Sequence, residues 1–267
     1  MTHTSNSSHP PLPVAVVTGG ARGIGLAIAQ WFLAHDHRVA LLDIDATTLE
    51  QTNERLNDPA SVLALHCDVS KADQVQAAVA QVVARFGRID ALVNNAGIAI
   101  FKPILQTTLQ EWHEVLATNL DGPFICTQAC APVMLKTGGG SVVNIASISG
   151  LRGSTLRVAY GTSKAAVIHL TRQQAVELGV VGIRVNAVAP GPVDTEMAKK
   201  VHAVAIRKDY HDVIPLGRYG TPEEIAAAVG FLCSPAASYI NGQVLAADGG
   251  FDAAGVGLPT LRANAQT

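Results

Sequence analysis

The sequence predicts a doubly wound α/β fold, a single parallel sheet of about seven strands with helices on both faces. Three observations predict it. Short β-branched or aliphatic runs recur from Val14 to Ala246. Each is followed by a longer stretch with apolar residues at helical spacing, and no linker, repeat or low-complexity segment interrupts the alternation. Glycine, asparagine and serine cluster just beyond the strand ends, where ligands of open α/β sheets bind.

Val14 to Val17 is the first strand. It stops at Thr18-Gly19-Gly20-Ala21-Arg22-Gly23-Ile24-Gly25, after which Leu26, Ile28, Ala29, Phe32 and Leu33 recur as on a helix. Glycines at 19, 23 and 25 let a backbone turn tightly against a pyrophosphate that the following helix N-terminus attracts. The spacing is Gly-x-x-x-Gly-x-Gly, so the loop alone is equally readable as an ordinary turn; its flanking strand and helix favour a dinucleotide. The second strand, Arg38 to Leu42, ends in Asp43, eighteen residues beyond Gly25. A carboxylate there accepts from ribose hydroxyls and repels a 2′-phosphate, whereas Arg22 would attract one. Desolvated repulsion outweighs one flexible guanidinium, so NAD is expected and NADP is the alternative. Asp45 is either solvated surface or a helix cap.

Val62 to Leu65 forms the third strand, and a helix is expected from about Lys71 to Phe86. Asp68, between them, either caps that helix or meets adenine. Ala91 to Val93 leads into Asn94-Asn95-Ala96-Gly97, where asparagine amides can tie loop to loop. One long helix is expected from about Leu109 to Met134, with Trp112, Val115, Leu116, Leu120 and Phe124 inward. Asn119 followed by Gly122-Pro123 predicts a bend that frees a side chain or carbonyl for water. Ser141 to Ile145 is a buried strand; after it come Ser147 and a helix from Tyr160 to about Leu178, then a strand from Gly182 to Val188 and the turn Pro190-Gly191-Pro192-Val193-Asp194-Thr195. Residues 196–219 read as a lid. Thr221-Pro222-Glu223-Glu224 starts a further helix, and Gln243 to Ala246 is the last strand.

Of the 267 residues 48% are hydrophobic and only 15% charged, which predicts extensive burial or subunit contacts and hence an oligomer. A formal net charge of -2 without a basic run gives nucleic acid no foothold, and no apolar run is long enough for a membrane span. The polar, Pro-punctuated start has no secretory pattern, so a cytoplasmic protein is expected. Cys67, Cys126, Cys130 and Cys233 sit in apolar contexts as small hydrophobes, and neither a metal site nor a disulfide is expected. The expected organisation is a flexible tail at 1–11, one dinucleotide-binding and catalytic domain at 12–250, and a second tail at 251–267.

Tyr160 and Lys164 are four apart, so on a helix they share a face. A fixed ammonium beside a phenol favours phenolate, the form that acts as a base. In isolation Tyr-x-x-x-Lys is more often a packed Tyr beside an exposed Lys. The other stations reverse that reading, because the chain resembles the classical short-chain dehydrogenase/reductase (SDR) family from about Leu12 to Gly250. The resemblance is carried by the residues from Thr18 to Gly25, Asn94-Asn95-Ala96-Gly97, Asn119, Ser147, Tyr160 with Lys164, Pro190-Gly191 and Asp248-Gly249-Gly250.

The resemblance implies a Rossmann-type sheet, a homotetramer and an oxidoreductase in which Tyr160 is the acid/base and Ser147 holds the substrate oxygen. It also implies that Lys164 grips the nicotinamide ribose and, with the nicotinamide, depresses the Tyr160 pKa, while Asn119 holds a proton-relay water. Asp68 and Val69 would flank adenine, Asn95, Ala96 and Gly97 the adenosine ribose, and Val193 and Thr195 the carboxamide. Gly19, Arg22, Ile24, Gly25, Asp43, Pro190 and Gly191 complete the expected cofactor contacts. Leu151, Arg152, Gly153 and Leu156 are expected to face the substrate with the lid. Arg152 or Arg157 is a candidate for a substrate carboxylate, although arginines are mostly solvated. The expected substrate is a sugar, polyol or hydroxy acid. A 3-oxoacyl reductase using NADP is the alternative, but carrier-dependent members typically have an Arg before the Glu where this chain reads Ala175-Val176-Glu177. A catalytically silent dinucleotide-binding scaffold would be free to lose Ser147, Tyr160, Lys164 or Asn119, and all four are present.

Overall fold

The computed structural model describes residues 11–255, with side chains at 197, 200 and 201 excepted. The tail expected at 1–11 therefore lies almost wholly outside the described residues, as does most of that at 251–267. Seven strands, β1 (Val14–Thr18), β2 (Arg38–Asp43), β3 (Val62–His66), β4 (Ala91–Asn94), β5 (Gly140–Ile145), β6 (Ile183–Pro190) and β7 (Val244–Ala247), form one sheet in the order β3-β2-β1-β4-β5-β6-β7. Every pairing is parallel. The order reverses between β1 and β4, the switch point at which a crevice opens in such sheets.

The strands read as unbroken apolar runs because helices cover both faces. Alternate residues serve opposite layers: Val14 and Val16 pack with α3 (Ala72–Phe86) and α5 (Gly122–Lys136), whereas Ala15 and Val17 pack with α1 (Gly23–Ala34) and α10 (Pro222–Cys233). Cys126 and Cys130 are buried in the first layer, and apolar burial pushes the Cys130 thiol up to about 12. Helix α2 (Ala46–Leu56) has a weak sequence signal, since only Leu49 and Thr52 are buried on it. Asp45 caps it, accepting from the Thr48 amide at 3.1 Å.

The long helix expected after Leu109 is three pieces: α4 (Leu109–Leu116), a π turn (Ala117–Asp121) and α5. The bend lies where Asn119 and Pro123 predicted it. The wider turn rotates α5 relative to α4, so Phe124 is 50% exposed rather than inward, while Val115 is fully buried. Two further helices, the single turn α6 (Ile148–Leu151) and the long α7 (Val158–Gly179), follow β5. Segment 196–219 folds as α8 (Glu196–Val201) and α9 (Val204–Val213), anchored by buried Ile214 and Tyr219 and by the Leu216 amide donating to Gly249. No helix among the described residues is long and apolar enough to cross a membrane.

Candidate active site

A cleft of about 230 Å³ opens beyond the carboxyl ends of β4, β5 and β6. Ile24, Asn95, Gly97, Ser147, Tyr160, Lys164, Pro190, Gly191, Val193 and Thr195 line it, drawn together from five segments of the chain. Ser147 caps α6, its Oγ accepting from the Ser149 amide at 3.1 Å. Only glycine serves at 150, because a Cβ there would lie 2.6 Å from the Lys164 carbonyl carbon. That close approach seats α6 on α7 and brings Ser147 into hydrogen-bonding contact with the Tyr160 phenol.

Lys164 is 4% exposed and donates to the Ile145 carbonyl at 2.7 Å. Its ammonium lies 5.8 Å from the Tyr160 ring centroid. Burial without a counter-ion pulls the Lys164 pKa down to about 8. The Tyr160 pKa lies above its ordinary value in the protein alone. Burial raises it, and the Ser147 hydrogen bond and the Arg157 charge offset this only in part. The phenol is therefore protonated at neutral pH, ready to act as an acid; acting as a base requires further positive charge in the cleft.

Asn119 is 1% exposed and its amide is fully engaged: Oδ1 accepts from the Ile98 amide at 2.8 Å, and Nδ2 donates to the Ile98 carbonyl at 2.9 Å and to Ser163 Oγ at 3.0 Å. Ser163 donates in turn to the Tyr160 carbonyl at 2.7 Å. The side chain thus pins the loop after β4 to α7.

The remaining predicted cofactor residues fit a dinucleotide. A Cβ on Gly25 would lie 2.0 Å from the Gly19 carbonyl oxygen, so the loop folds onto the first turn of α1. That turn has neither a side-chain cap nor an acidic residue, unlike α4 and α10 with their capping boxes, and its amides suit a phosphate. Asn95 Nδ2 donates to the Thr18 and Gly19 carbonyls at 3.0 Å each, and Thr18 Oγ1 accepts from the Asn95 and Ala96 amides. Asp43 is 7% exposed and braces the same loop, accepting from the Ala21 amide at 3.0 Å and from the Asp45 amide at 3.0 Å. Arg22 pairs with Asp45 at 3.1 Å, so a second carboxylate meets the guanidinium that would otherwise draw a 2′-phosphate. Asp68 Oδ1 accepts from the Ser70 amide and hydroxyl in the turn before α3. Val69 is buried against Gly122.

The expected substrate wall is displaced. Leu151, Arg152, Gly153 and Leu156 are exposed and none lines the cleft, because α6 ends after one turn and the chain swings outward before α7. Arg152 instead pairs with Asp252 at 2.7 Å. Ile148, Ser149, Phe101, Arg157, His202 and Tyr210 take their place. Leu156 holds a left-handed φ of 61°, a strain of about 1–3 kcal/mol for a bulky residue. Its carbonyl accepts from the Lys102 amide at 3.1 Å. The sequence offers Leu156 as a pocket residue and Arg157 only as one of two candidate arginines; the left-handed backbone at 156 and the choice between the arginines are products of the packed structure.

The sequence also conceals a buried polar chain: Asn94 Nδ2 donates to Asn144 Oδ1 at 2.8 Å, and Asn144 Nδ2 to Thr171 Oγ1 at 2.9 Å and Gln174 Oε1 at 3.2 Å. It fastens β4 and β5 to α7.

Comparison with known proteins agrees with this geometry. A family model described as Enoyl-(Acyl carrier protein) reductase matches residues 19–252. A 3-oxoacyl-[acyl-carrier-protein] reductase of Chlamydia muridarum is 41% identical over 239 residues, 88% of this chain and 96% of that protein. D-threitol dehydrogenase of Mycolicibacterium smegmatis is 42% identical over 239 residues, covering 89% and 92%. The crystal structure of levodione reductase superposes with a TM-score of 0.87 at 37% identity, covering 92% of this chain and 100% of that one. A match of this extent, over a cleft that joins the first turn of α1 to Ser147, Tyr160 and Lys164, makes the chain a member of the classical short-chain dehydrogenase/reductase family of nicotinamide-dependent oxidoreductases.

Proposed function

We propose that this protein is an NAD-dependent dehydrogenase of secondary alcohols, of the sugar, polyol or hydroxy-acid class. The observation that carries the reading is the convergence of Ser147, Tyr160 and Lys164 in one cleft at the strand ends. NAD, when bound, accepts or returns the hydride. Ser147 orients the substrate oxygen by hydrogen bonding, and Tyr160 takes its proton in oxidation and returns it in reduction. Lys164, already held against Ile145, presents donors to the nicotinamide ribose and adds positive charge beside the phenol.

Asp43 at the end of β2 and the Arg22–Asp45 pair favour NAD over NADP. The protein acts in the cytoplasm as a homotetramer. Tetramer formation is supported by Leu105, Leu109, Val176 and Val180, apolar side chains at least 69% exposed on the single chain, and by the half-exposed edge strand β7. A light-scattering mass of one subunit would overturn the tetramer.

The test of function is NADH absorbance across a panel of short secondary alcohols, with NAD and NADP binding measured in parallel on the wild type and Asp43→Asn. Turnover with NAD is expected. The NADP-to-NAD affinity ratio should rise about tenfold or more in the variant as like-charge repulsion is lifted. A wild type that prefers NADP and reduces 3-oxoacyl thioesters would establish the reductase reading instead. Cofactor binding without turnover on either panel would mark a silent scaffold.

A further inference from the structure

Of the arginines at 152, 157 and 207, two are neutralised. Arg152 pairs with Asp252, and Arg207 pairs with Asp194 at 3.2 Å and covers the Tyr219 ring. Arg157 differs. Among the described residues it has no carboxylate within ion-pair distance; its guanidinium lies over the Phe101 ring, 4.9 Å from the centroid, and lines the cleft itself.

Nor does any aspartate or glutamate line this cleft. Its charged side chains are Arg157 and Lys164, and Lys164 is committed to Ile145. Such a wall suits a polyol poorly, since carboxylates are strong acceptors for hydroxyls. It suits an oxyanion well, because a guanidinium offers a planar fork of donors.

Position supports this use. Arg157 is the N-cap of α7, three residues before Tyr160, and both side chains line the cleft. The backbone before it is held in place by the left-handed Leu156 and by the bridge from Lys102 to Arg157. The same positive charge counters the burial of the phenol.

We propose that Arg157 is the substrate-anion subsite: it binds a carboxylate or sulfonate borne on the same short carbon chain as the carbinol. This rests on the dehydrogenase reading and selects the hydroxy-acid branch of it. The shared chemistry is an oxyanion, and the source is separated by the test.

The experiment compares kcat/KM with NAD for 3-hydroxybutyrate, 2-hydroxypropane-1-sulfonate and neutral 1,3-butanediol, in wild type, Arg157→Gln and Arg152→Gln. The wild type is expected to favour one of the anions over the diol by about 10- to 100-fold, chiefly through KM. Arg157→Gln should lose at least about tenfold of that preference, and Arg152→Gln should keep it. Which anion is favoured identifies the source. No anion preference in the wild type, or full preference in Arg157→Gln, overturns the proposal. If no alcohol is oxidised, the dehydrogenase reading fails for this class, and calorimetric titration with acetoacetate still decides the subsite. Heat in wild type and Arg152→Gln but not in Arg157→Gln supports it; no heat in the wild type, or equal heat in Arg157→Gln, overturns it.

Discussion

Replacing Tyr160 by Phe is expected to lower kcat for alcohol oxidation by about 10²- to 10⁴-fold while leaving cofactor affinity within a few-fold of wild type. The ring remains to fill its place at the start of α7, so the fold is preserved; only the proton carrier is removed. Because burial raises the phenol pKa, the base form is scarce at neutral pH. Wild-type oxidation should therefore climb with pH, by up to about tenfold per unit while the phenol stays protonated, and reduction should stay level over that range and fall only above the phenol pKa. Tyr160→Phe should flatten both profiles. Steady-state rates in both directions across pH check this, and a variant retaining wild-type turnover would remove Tyr160 from the chemistry.

Lys164→Met is expected to abolish activity and yet stabilise the fold at neutral pH. The wild-type ammonium is buried without a carboxylate, and its pKa of about 8 lies below the ordinary 10.5. Between those values the unfolded chain binds a proton that the folded one does not, so stability rises with pH through that window. Below it the folded protein carries the whole penalty, about 3 kcal/mol. Methionine avoids that penalty but leaves the Ile145 carbonyl without its donor, at a cost of about 1–2 kcal/mol. The net expectation at pH 7 is about 1–2 kcal/mol in favour of the variant. The difference should shrink above pH 8, change sign at about pH 9–10, and be fully reversed above 10.5, where lysine is neutral in both states. The thiols, whose pKa values burial also raises, are common to both proteins and cancel in the difference. Denaturant unfolding at pH 7 and at about 10.5–11 measures it; a variant less stable at pH 7 would contradict the account.

Legibility in the sequence follows how local the physical demand is. The glycine loop can be read because Gly25 leaves no space for a Cβ, a constraint written into one position. Ser147 and the Tyr160–Lys164 pair can be read because strand ends and helical spacing are short-range properties. Arg157 and Arg152 cannot be separated, since what divides them is an ion pair with Asp252, one hundred residues away. Phe124 reads as inward because a π turn interrupts a period that the apolar residues alone continue smoothly. The Asn94–Asn144 chain stays hidden for a related reason: an Asn at a strand end is an ordinary sight, and only the pairing of β4 with β5 makes two of them partners. Asp43 is legible for its charge, while its brace on the Ala21 amide depends on how β2 lies beside the loop.

The links from Ile98 through Asn119 and Ser163 to the Tyr160 carbonyl have a consequence for the barrier itself. Polar groups already fixed in direction do not reorient when charge develops on a nearby oxygen. Little disorder is then lost on the way to the transition state, because folding has already oriented those groups. The resistance to reaction should accordingly be mostly enthalpic, with a small activation entropy once substrate and cofactor are in place.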